Sequence, residues 1–513
     1  MKSLALALLA VALVAADKPT PRQKARELLD GAAEMTAATK PDVQPVALMH
    51  LADNYQAFDK KKAIEYFKQA FTAAILPPTS QSPFARGTQM EIVVALTTLD
   101  AAEGIALLKQ MEPPAQGYDN RSFAASRVIG ELLQKSQTQT AIDLADYMGS
   151  SGAYPFAGVS QIMAKLPPAD NQFAAVFTSA LSAYTIKPDR SFVSLVMKYR
   201  KDLPAGMAQA ALARILAVVL SGKTDIPYNA QTLSSSKGTA TFTSPEESEL
   251  FDIAPLVREI DPKRYEDLLA THAELRSALQ LFPGGGPSVA DDHGVSTYTV
   301  SSSGKSSDAA AEKRAADAMN DRMKMAALIN TRAEAALVAA AKDPDKGLDL
   351  VADIPSPPKQ AEVLARIAQS VGENDVAKAR RVLARCLTLL DDVKYPEDRV
   401  IAWDAVAGAA LVIKDDATVQ RATDRMLADA AELYKEDTNT DKPNRAWREN
   451  WPSTAAYRRA VIRATKLLSV DAAPVLEKIT DPDQNVLARI TMAQALLERP
   501  FDRFQTYGGR RRQ

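Results

Sequence analysis

Four segments of the chain repeat one short pattern, and this repetition limits the folds that are open to it. Each segment has a small residue, an aliphatic residue directly after it, a second aliphatic residue two positions later, and Met or Ile four positions beyond that. The segments are 104–111, 141–148, 347–354 and 472–479. A turn containing Pro or Gly follows each one, and then a second helical pattern begins. The first two copies start 37 residues apart, a period typical of helical-hairpin repeats.

The second helical pattern also repeats. In the last two copies it carries the same five residues, V-L-A-R-I, at 363–367 and 486–490, and a third L-A-R-I stands at 212–215. One helical hairpin cannot bury its apolar face alone, whereas stacked neighbours bury a continuous core. Aromatic residues make up only 6% of the chain, so this core must consist largely of Ala, Leu, Val and Ile. We therefore predict an all-α fold, an α-solenoid of antiparallel helical hairpins.

Residues 47–78 carry a more specific pattern of large and small residues on two helices. On the first helix these are Leu48, Leu51, Ala52 and Tyr55, and on the second they are Ala63, Phe67 and Ala70. This unit resembles a tetratricopeptide repeat, within the wider class of HEAT-like α-solenoids. It departs from the family in having Leu48 in place of the usual Trp, and in a turn that is one residue short. The resemblance implies a helical hairpin and a peptide-binding role.

One segment divides the chain into two predicted halves. Residues 283–308 are dominated by Gly, Ser and Pro, and few of them could offset the entropy cost of ordering. We expect a linker there, with helical-repeat halves at 17–282 and 309–498. Residues 222–246 are expected to form a second, shorter polar loop. The last segment, 499–513, holds five arginines and is expected to be a solvated basic tail.

Strand patterning is nearly absent from the sequence. The exceptions are G-T-A-T-F-T at 238–243 and V-S-T-Y-T-V at 295–300, where Thr alternates with apolar or aromatic residues. Each segment is either a short strand or irregular chain, and the sequence leaves both alternatives open.

The first 16 residues indicate secretion. Lys2 precedes an apolar run that is too short to span a bilayer, and small residues precede Asp17, so we predict a signal peptide that is cleaved before Asp17. Cys386 is the only cysteine, which excludes an intramolecular disulfide, and we expect it to be a buried, inert thiol. These features favour a periplasmic or extracellular protein without a transmembrane segment in its mature chain. A net charge of −1 gives no reason to expect nucleic acid as a partner.

No local motif predicts catalysis, a cofactor or a metal. His50, His272 and His293 each lack a second His or Cys at ligand spacing, so zinc is not expected. S-G-K-T at 221–224 and S-G-K-S at 303–306 lack the preceding glycine that a phosphate-binding loop requires. The sequence therefore predicts no catalytic, cofactor-binding or metal-binding residues.

Residues 445–459 form the densest cluster of Trp, Tyr and Arg, which are enriched in binding hot spots. The candidate partner-binding residues are Trp447, Arg448, Trp451, Tyr457 and Arg458. The alternative is that the aromatic residues pack helices together and the arginines solvate the outside. The function we expect is binding or scaffolding of a peptide or protein partner. The alternative is a hydrolase, for example one that acts on the cell wall, which should contain a carboxyl or imidazole of altered pKa inside a cleft.

Overall fold

The computed structural model describes residues 18–75, 83–113, 119–221, 230–235, 238–291, 296–300, 309–439 and 451–500. The predicted signal peptide, and the predicted basic tail beyond residue 500, lie outside these ranges. The chain forms two compact units. We call residues 1–100 together with 311–513 the discontinuous unit, and residues 101–310 the continuous unit. This division differs from the two halves expected at 17–282 and 309–498, because residues before 100 pack with residues after 311.

The first part of the discontinuous unit consists of four helices. They are α1 (Pro21–Thr36), α2 (Gln44–Tyr55), α3 (Lys60–Ile75) and α4 (Pro83–Leu99). Helix α1 begins with a capping box, in which the Thr20 hydroxyl accepts from the Gln23 N–H and the Gln23 side chain accepts from the Thr20 N–H. Pro21 follows at the first helical position, where its missing N–H costs no hydrogen bond.

The described residues of the continuous unit form the next eleven helices along the chain and three short strands. They are α5 (Ala101–Gln110), α6 (Asn120–Gln134), α7 (Thr138–Ser150), α8 (Phe156–Met163), α9 (Asn171–Ile186), α10 (Arg190–Tyr199), α11 (Met207–Val219), β1 (Ala230–Ser235), β2 (Gly238–Phe242), α12 (Pro245–Ile260), α13 (Pro262–Thr271), α14 (Ala273–Leu281), α15 (Gly285–Asp291) and β3 (Ser296–Val300). Aspartates cap several of these helices, as Asp119, Asp170 and Asp189 do by accepting a backbone N–H two residues on.

The remaining helices belong to the discontinuous unit, apart from the first two residues of α16. They are α16 (Ala309–Lys342), α17 (Pro344–Val351), α18 (Pro357–Gly372), α19 (Val376–Leu390), α20 (Pro396–Val412), α21 (Asp416–Asp437), α22 (Pro452–Leu468), a 3₁₀ segment (Ser469–Lys478) and α23 (Pro482–Leu496). Most of them start at proline, which agrees with the sequence expectation that prolines separate the helices. No helix in the described ranges is both long enough and apolar enough to cross a bilayer.

The helices of the discontinuous unit pack as successive neighbouring pairs. Helix α18 packs on α19 and α20, α20 packs on α21 and α22, and α22 packs on the 3₁₀ segment and α23. Helices α2 and α3 form another hairpin, with α4 packed against α3. This arrangement confirms the predicted all-α fold built from stacked helical hairpins.

Helix α23 packs against α1, so the array continues through the two ends of the described chain. The Lys40 N–H donates to the Asp483 carboxylate at 3.1 Å. The Lys18 ammonium lies 2.8 Å from the Asp471 carboxylate. In this unit, therefore, one helical pair is formed by segments that are more than 400 residues apart in sequence.

Three of the four predicted repeats have the expected order of helix, turn and helix, and in the first copy two helices flank a turn that lies partly outside the described residues. Segment 104–111 covers most of α5, which packs on α6. Segment 141–148 lies within α7, which packs on α8. Segment 347–354 begins within α17, which packs on α18. Segment 472–479 covers most of the 3₁₀ segment, which packs on α23. In every copy the first and last residues of the pattern are buried and the second is half-buried. The repeated pattern therefore marks the side of each helix that faces the core.

The hairpin formed by α2 and α3 contains the unit that resembles a tetratricopeptide repeat. All seven residues that carry the resemblance are buried in it. They therefore act as core residues of a helical repeat, which supports the repeat fold in general and not one particular repeat family.

The three strands form one antiparallel sheet in the order β2–β1–β3. Two of them coincide with the segments at 238–243 and 295–300, where strand and irregular chain were both open. The expected polar loop at 222–246 instead contains β1 and β2, joined in register with Leu233 opposite Ala240. The sequence of β1 did not indicate a strand because Leu233 is its only large apolar residue. The segment predicted as a linker, 283–308, also includes α15 and β3.

Candidate partner-binding groove

The predicted aromatic and arginine cluster is only partly described. Trp447 and Arg448 lie outside the described residues. Trp451 caps the start of α22 and is half-buried, with its ring centroid 6.3 Å from that of Tyr434 on α21. Tyr457 is buried, which raises the pKa of its hydroxyl. Tyr457 therefore lies in the core, which fits the alternative in which the aromatic residues pack helices together, whereas Arg458 is half-buried.

The histidines and the cysteine are dispersed. His50 is buried in α2, His272 lies with Nδ1 3.3 Å from the Glu247 carboxylate, and His293 is outside the described residues. In the described part of the chain, no group of three or more His, Cys, Asp or Glu side chains is placed to hold a metal. The Cys386 thiol donates to the Ala361 carbonyl at 3.1 Å, and burial raises its pKa to about 12. It is a buried thiol that stays protonated at neutral pH.

Asp30, Tyr55 and Lys62 form a polar cluster that joins α1, α2 and α3. The Lys62 ammonium lies 3.0 Å from the Asp30 carboxylate and 3.1 Å from the Tyr55 hydroxyl, which also donates to Asp30. Burial alone would raise the pKa of Asp30, but the hydrogen bonds from Tyr55 and Lys62 outweigh it and lower that pKa. The pKa values of Tyr55 and Lys62 are both raised. The cluster thus keeps a neutral phenol, a charged amine and a charged carboxylate, which suits a structural link and not a general base.

Ion pairs also connect neighbouring helices of the discontinuous unit. Asp404 on α20 accepts from Arg459 at 2.8 Å and from Arg463 at 2.6 Å, both on α22. Arg399 on α20 contacts Asp429 on α21 at 2.7 Å. Burial raises the pKa of Asp429, and the Arg399 guanidinium opposes that rise. Each of these carboxylates lies against a cation on another helix that packs against its own, so these ion pairs link packed helices.

An open, largely apolar concavity of the continuous unit runs along α11. We call it the α11 groove, and its volume is about 430 Å³. One wall is α11 and the other is the corner between α12 and α13. The lining residues are Gln209, Leu212, Ala213, Leu216, Ala217, Leu220, Ile260, Asp261 and Arg264. Steps of three and four residues place the α11 members on one helix face, over a length of roughly 16 Å at 1.5 Å per residue.

The small residues of this groove are exposed where their sequence equivalents are buried. Ala365 in α18 and Ala488 in α23 occupy the same position of the L-A-R-I sequence, and both are buried. Ala213 is exposed, as is Ala217 one turn later, although Leu212 and Leu216 beside them are buried. In α18 and α23, packed neighbouring helices cover the alanine. The α11 groove has the apolar floor of a helix–helix contact, and among the described helices none covers Ala213 and Ala217.

The rim of the groove carries two charged residues, Asp261 and Arg264. The Asp261 carboxylate caps α13 by accepting from the Arg264 N–H at 3.0 Å, so its charge is stabilised by the helix N-terminus. The Arg264 side chain is exposed, and in the described part of the chain no carboxylate lies within ion-pair distance of it. A ligand that places an acidic group beside Arg264 would therefore gain an attractive interaction.

A smaller cavity of about 40 Å³ lies at the ends of α6, α7 and α9. Asp119 faces it and is already paired, since Arg121 donates to its carboxylate at 2.8 Å and Lys187 lies at 3.9 Å. These cations outweigh burial and lower the pKa of Asp119. This cavity is smaller than the α11 groove, and the carboxylate that faces it is already paired, so it is the weaker candidate for partner binding.

Comparisons with known proteins place the chain in no described family. No family model matches the chain. No curated protein matches it either. One solved structure that it is similar to is a circular tandem repeat protein with novel repeat topology and enhanced subunit contact surfaces. That likeness has 10% identity over 93% of this chain and 90% of the other, with a TM-score of 0.15. The helical repeat fold described here follows from the packing of the chain itself.

The sequence contained one signal that pointed to the groove. The third copy of L-A-R-I, at 212–215, lies on its floor. Sequence patterning could mark this helix as amphipathic, but it could not show that the alanine face lacks a cover, because a cover depends on the placement of distant helices.

Proposed function

We propose that this chain is a secreted or periplasmic helical-repeat protein that binds or scaffolds a protein partner. The partner lays an amphipathic helix along the α11 groove, with apolar side chains on the groove floor and an acidic side chain beside Arg264. The observation that supports this proposal best is the exposure of Ala213 and Ala217 between buried leucines. Exposed small residues allow a second helix to approach closely, at the 8–10 Å interaxial distance typical of packed helices.

A helical ligand fits this groove better than an extended one. An extended peptide gains affinity by pairing its backbone with a free strand edge. The walls of the groove are helices, whose N–H and C=O groups are already paired within each helix. A helical ligand needs no such pairing, because its own backbone hydrogen bonds are internal. Apolar side chains at steps of three and four residues would then fill the groove.

The binding proposal can be tested with a designed probe. The probe is a fluorescently labelled 18-residue peptide with Leu at helical spacing and two Glu beside the apolar stripe, and fluorescence anisotropy reports its binding. Ala213→Arg should weaken binding of the probe at least about tenfold, because the long arginine side chain fills the groove that the probe's leucines would occupy. A tenfold change corresponds to a loss of about 1.4 kcal/mol of binding free energy. Ala210→Arg is the matched control, since Ala210 is exposed on the same helix but does not line the groove.

Two outcomes would contradict this site. One is equal binding by the two arginine variants, and the other is equal binding of a control peptide that has the same composition with its helical spacing scrambled. Either result would show that the apolar groove does not select a helix.

Secretion is the second part of the proposal and rests on the first 16 residues alone. Lys2, the apolar run and the small residues before Asp17 form the expected signal pattern. Expression of the full sequence in a bacterial host should yield a protein that starts at Asp17 and is released by osmotic shock. The intact mass checks this directly, and a soluble protein that retains Met1–Ala16 would contradict it.

A further inference from the structure

Helix α19 exposes three arginines and contains no acidic residue. They are Arg380, Arg381 and Arg385, and we call them the α19 arginine face. Arg385 lies one turn beyond Arg381, so these two side chains are neighbours on the helix surface. Within the described part of the chain, the three guanidinium groups make no ion pair and no side-chain hydrogen bond. The other cation of the helix, Lys378, is paired with Asp345 at 2.8 Å.

Other arginines of the discontinuous unit link helices, and those of α19 do not. Helix α22 also lacks acidic residues, but its Arg459 and Arg463 pair with Asp404 of α20. Arg399 of α20 pairs with Asp429 of α21 in the same way. Like charges one turn apart on a helix destabilise it slightly when nothing opposes them. The α19 arginine face is therefore a concentration of positive charge that packing within the unit does not use.

The side chains around the arginines favour one class of anionic partner. A helix that lies on an anionic membrane carries large apolar residues beside its cations. On α19 the exposed neighbours are Ala377, Ala384 and Thr388, and Val376 is the one larger apolar residue that is exposed. A surface for single-stranded nucleic acid combines cations with aromatic residues on which bases stack, and α19 has no aromatic residue. Carboxylates need neither feature, and they accept two parallel hydrogen bonds from a guanidinium group.

We propose that the α19 arginine face binds an acidic helical segment of a partner protein. Arg381 and Arg385 are four residues apart, which is roughly 6 Å along the helix at 1.5 Å per residue. Glutamates four residues apart on a partner helix have the same spacing, so both can pair at once. Arg380, directly beside Arg381, can take a third carboxylate. This inference is independent of the α11 groove, because α19 belongs to the discontinuous unit and the groove belongs to the continuous unit.

Binding of a labelled acidic peptide to the full chain tests the proposal. The peptide is an alanine-rich helix with glutamates four residues apart on one face and no large apolar residue, so it does not fit the α11 groove. Fluorescence anisotropy measures its affinity. The triple variant Arg380→Gln, Arg381→Gln and Arg385→Gln should weaken binding at least about tenfold, because three ion pairs are lost. Its melting temperature should stay nearly unchanged, since all three side chains are exposed.

A matched variant removes three positive charges from another helix of the same unit. It carries Arg421→Gln, Arg425→Gln and Lys435→Gln on α21, where the exposed cations alternate with acidic residues. It should bind the acidic peptide about as well as the unsubstituted chain.

Four outcomes would overturn the inference. The acidic peptide fails to bind even at low salt, or the two triple variants weaken its binding equally. A peptide of the same composition, with its glutamates distributed around the helix, binds equally well, which would show attraction by net charge alone. Vesicles of phosphatidylglycerol sediment the chain and lose it in the Arg380, Arg381 and Arg385 variant, which would assign the face to a lipid surface.

Discussion

Gly347 shows how one residue can fix the spacing between two helices. A Cβ atom at this position would lie 2.3 Å from the Cβ of Ala340, closer than two carbon atoms can pack. The small residue that opens each repeat therefore has a steric role at this copy. Other single residues link helices through ion pairs, as Asp404 does when its carboxylate accepts hydrogen bonds from two arginines of α22.

The steric role of Gly347 leads to a prediction at this scale. Gly347→Ala should lower the free energy of unfolding by about 1–3 kcal/mol, because the added methyl group overpacks the contact with Ala340. Gly87→Ala is the matched control, since apart from its chain neighbours and the backbone of helix α4 itself, no described atom lies within 4 Å of the Cβ that it adds. The control should be neutral or stabilising, as Ala is the better helix former. Urea denaturation measures both, and equal effects of the two substitutions would contradict the steric account.

At the scale of the element, the positions of the helices could be predicted from the sequence more easily than the packing of other helices against them. The segments at 347–354 and 472–479 are followed by helices with the same V-L-A-R-I sequence, and the predicted order of helix, turn and helix is confirmed in both. Local spacing and proline positions determine this order. The exposure of Ala213 could not be predicted in the same way, since Ala213 and the buried Ala365 share the same immediate sequence. Their difference arises from tertiary packing.

The β-sheet and the aromatic cluster show the same limit. Strand β1 has no alternating pattern of its own and is ordered between β2 and β3, which lie later in the sequence. Tyr457 was grouped with surface residues because Trp, Tyr and Arg were close in sequence, yet its place on α22 directs it into the core. Residue type and sequence proximity identify candidate sites, and burial then decides between core and surface. Trp451, at the start of α22, and Arg458, within α22, remain candidates.

At the scale of the whole molecule, the order of packing differs from the order of the chain. The discontinuous unit joins residues from both sides of the continuous unit, and α23 packs on α1. Contacts between such distant segments require a large loss of chain entropy before they form. We therefore expect the pair of α1 and α23 to form late in folding. This pairing could not be predicted from local patterning, because each helix looks like an ordinary repeat helix.

The most direct test of this account is the proximity of the two ends of the array. Lys18 and Asp471 are both exposed, and their charged atoms are 2.8 Å apart although 453 residues separate them. In dilute solution, a chain carrying Lys18→Cys and Asp471→Cys should react with a short bis-maleimide to give an intramolecular link, identified by mass spectrometry of the joined tryptic peptides. A control chain with Lys18→Cys and Asp345→Cys should not, because Asp345 lies on α17, which is not among the helices that pack on α1. Efficient linkage of the first pair alone is the predicted result, and its absence would contradict an array that continues through the chain ends.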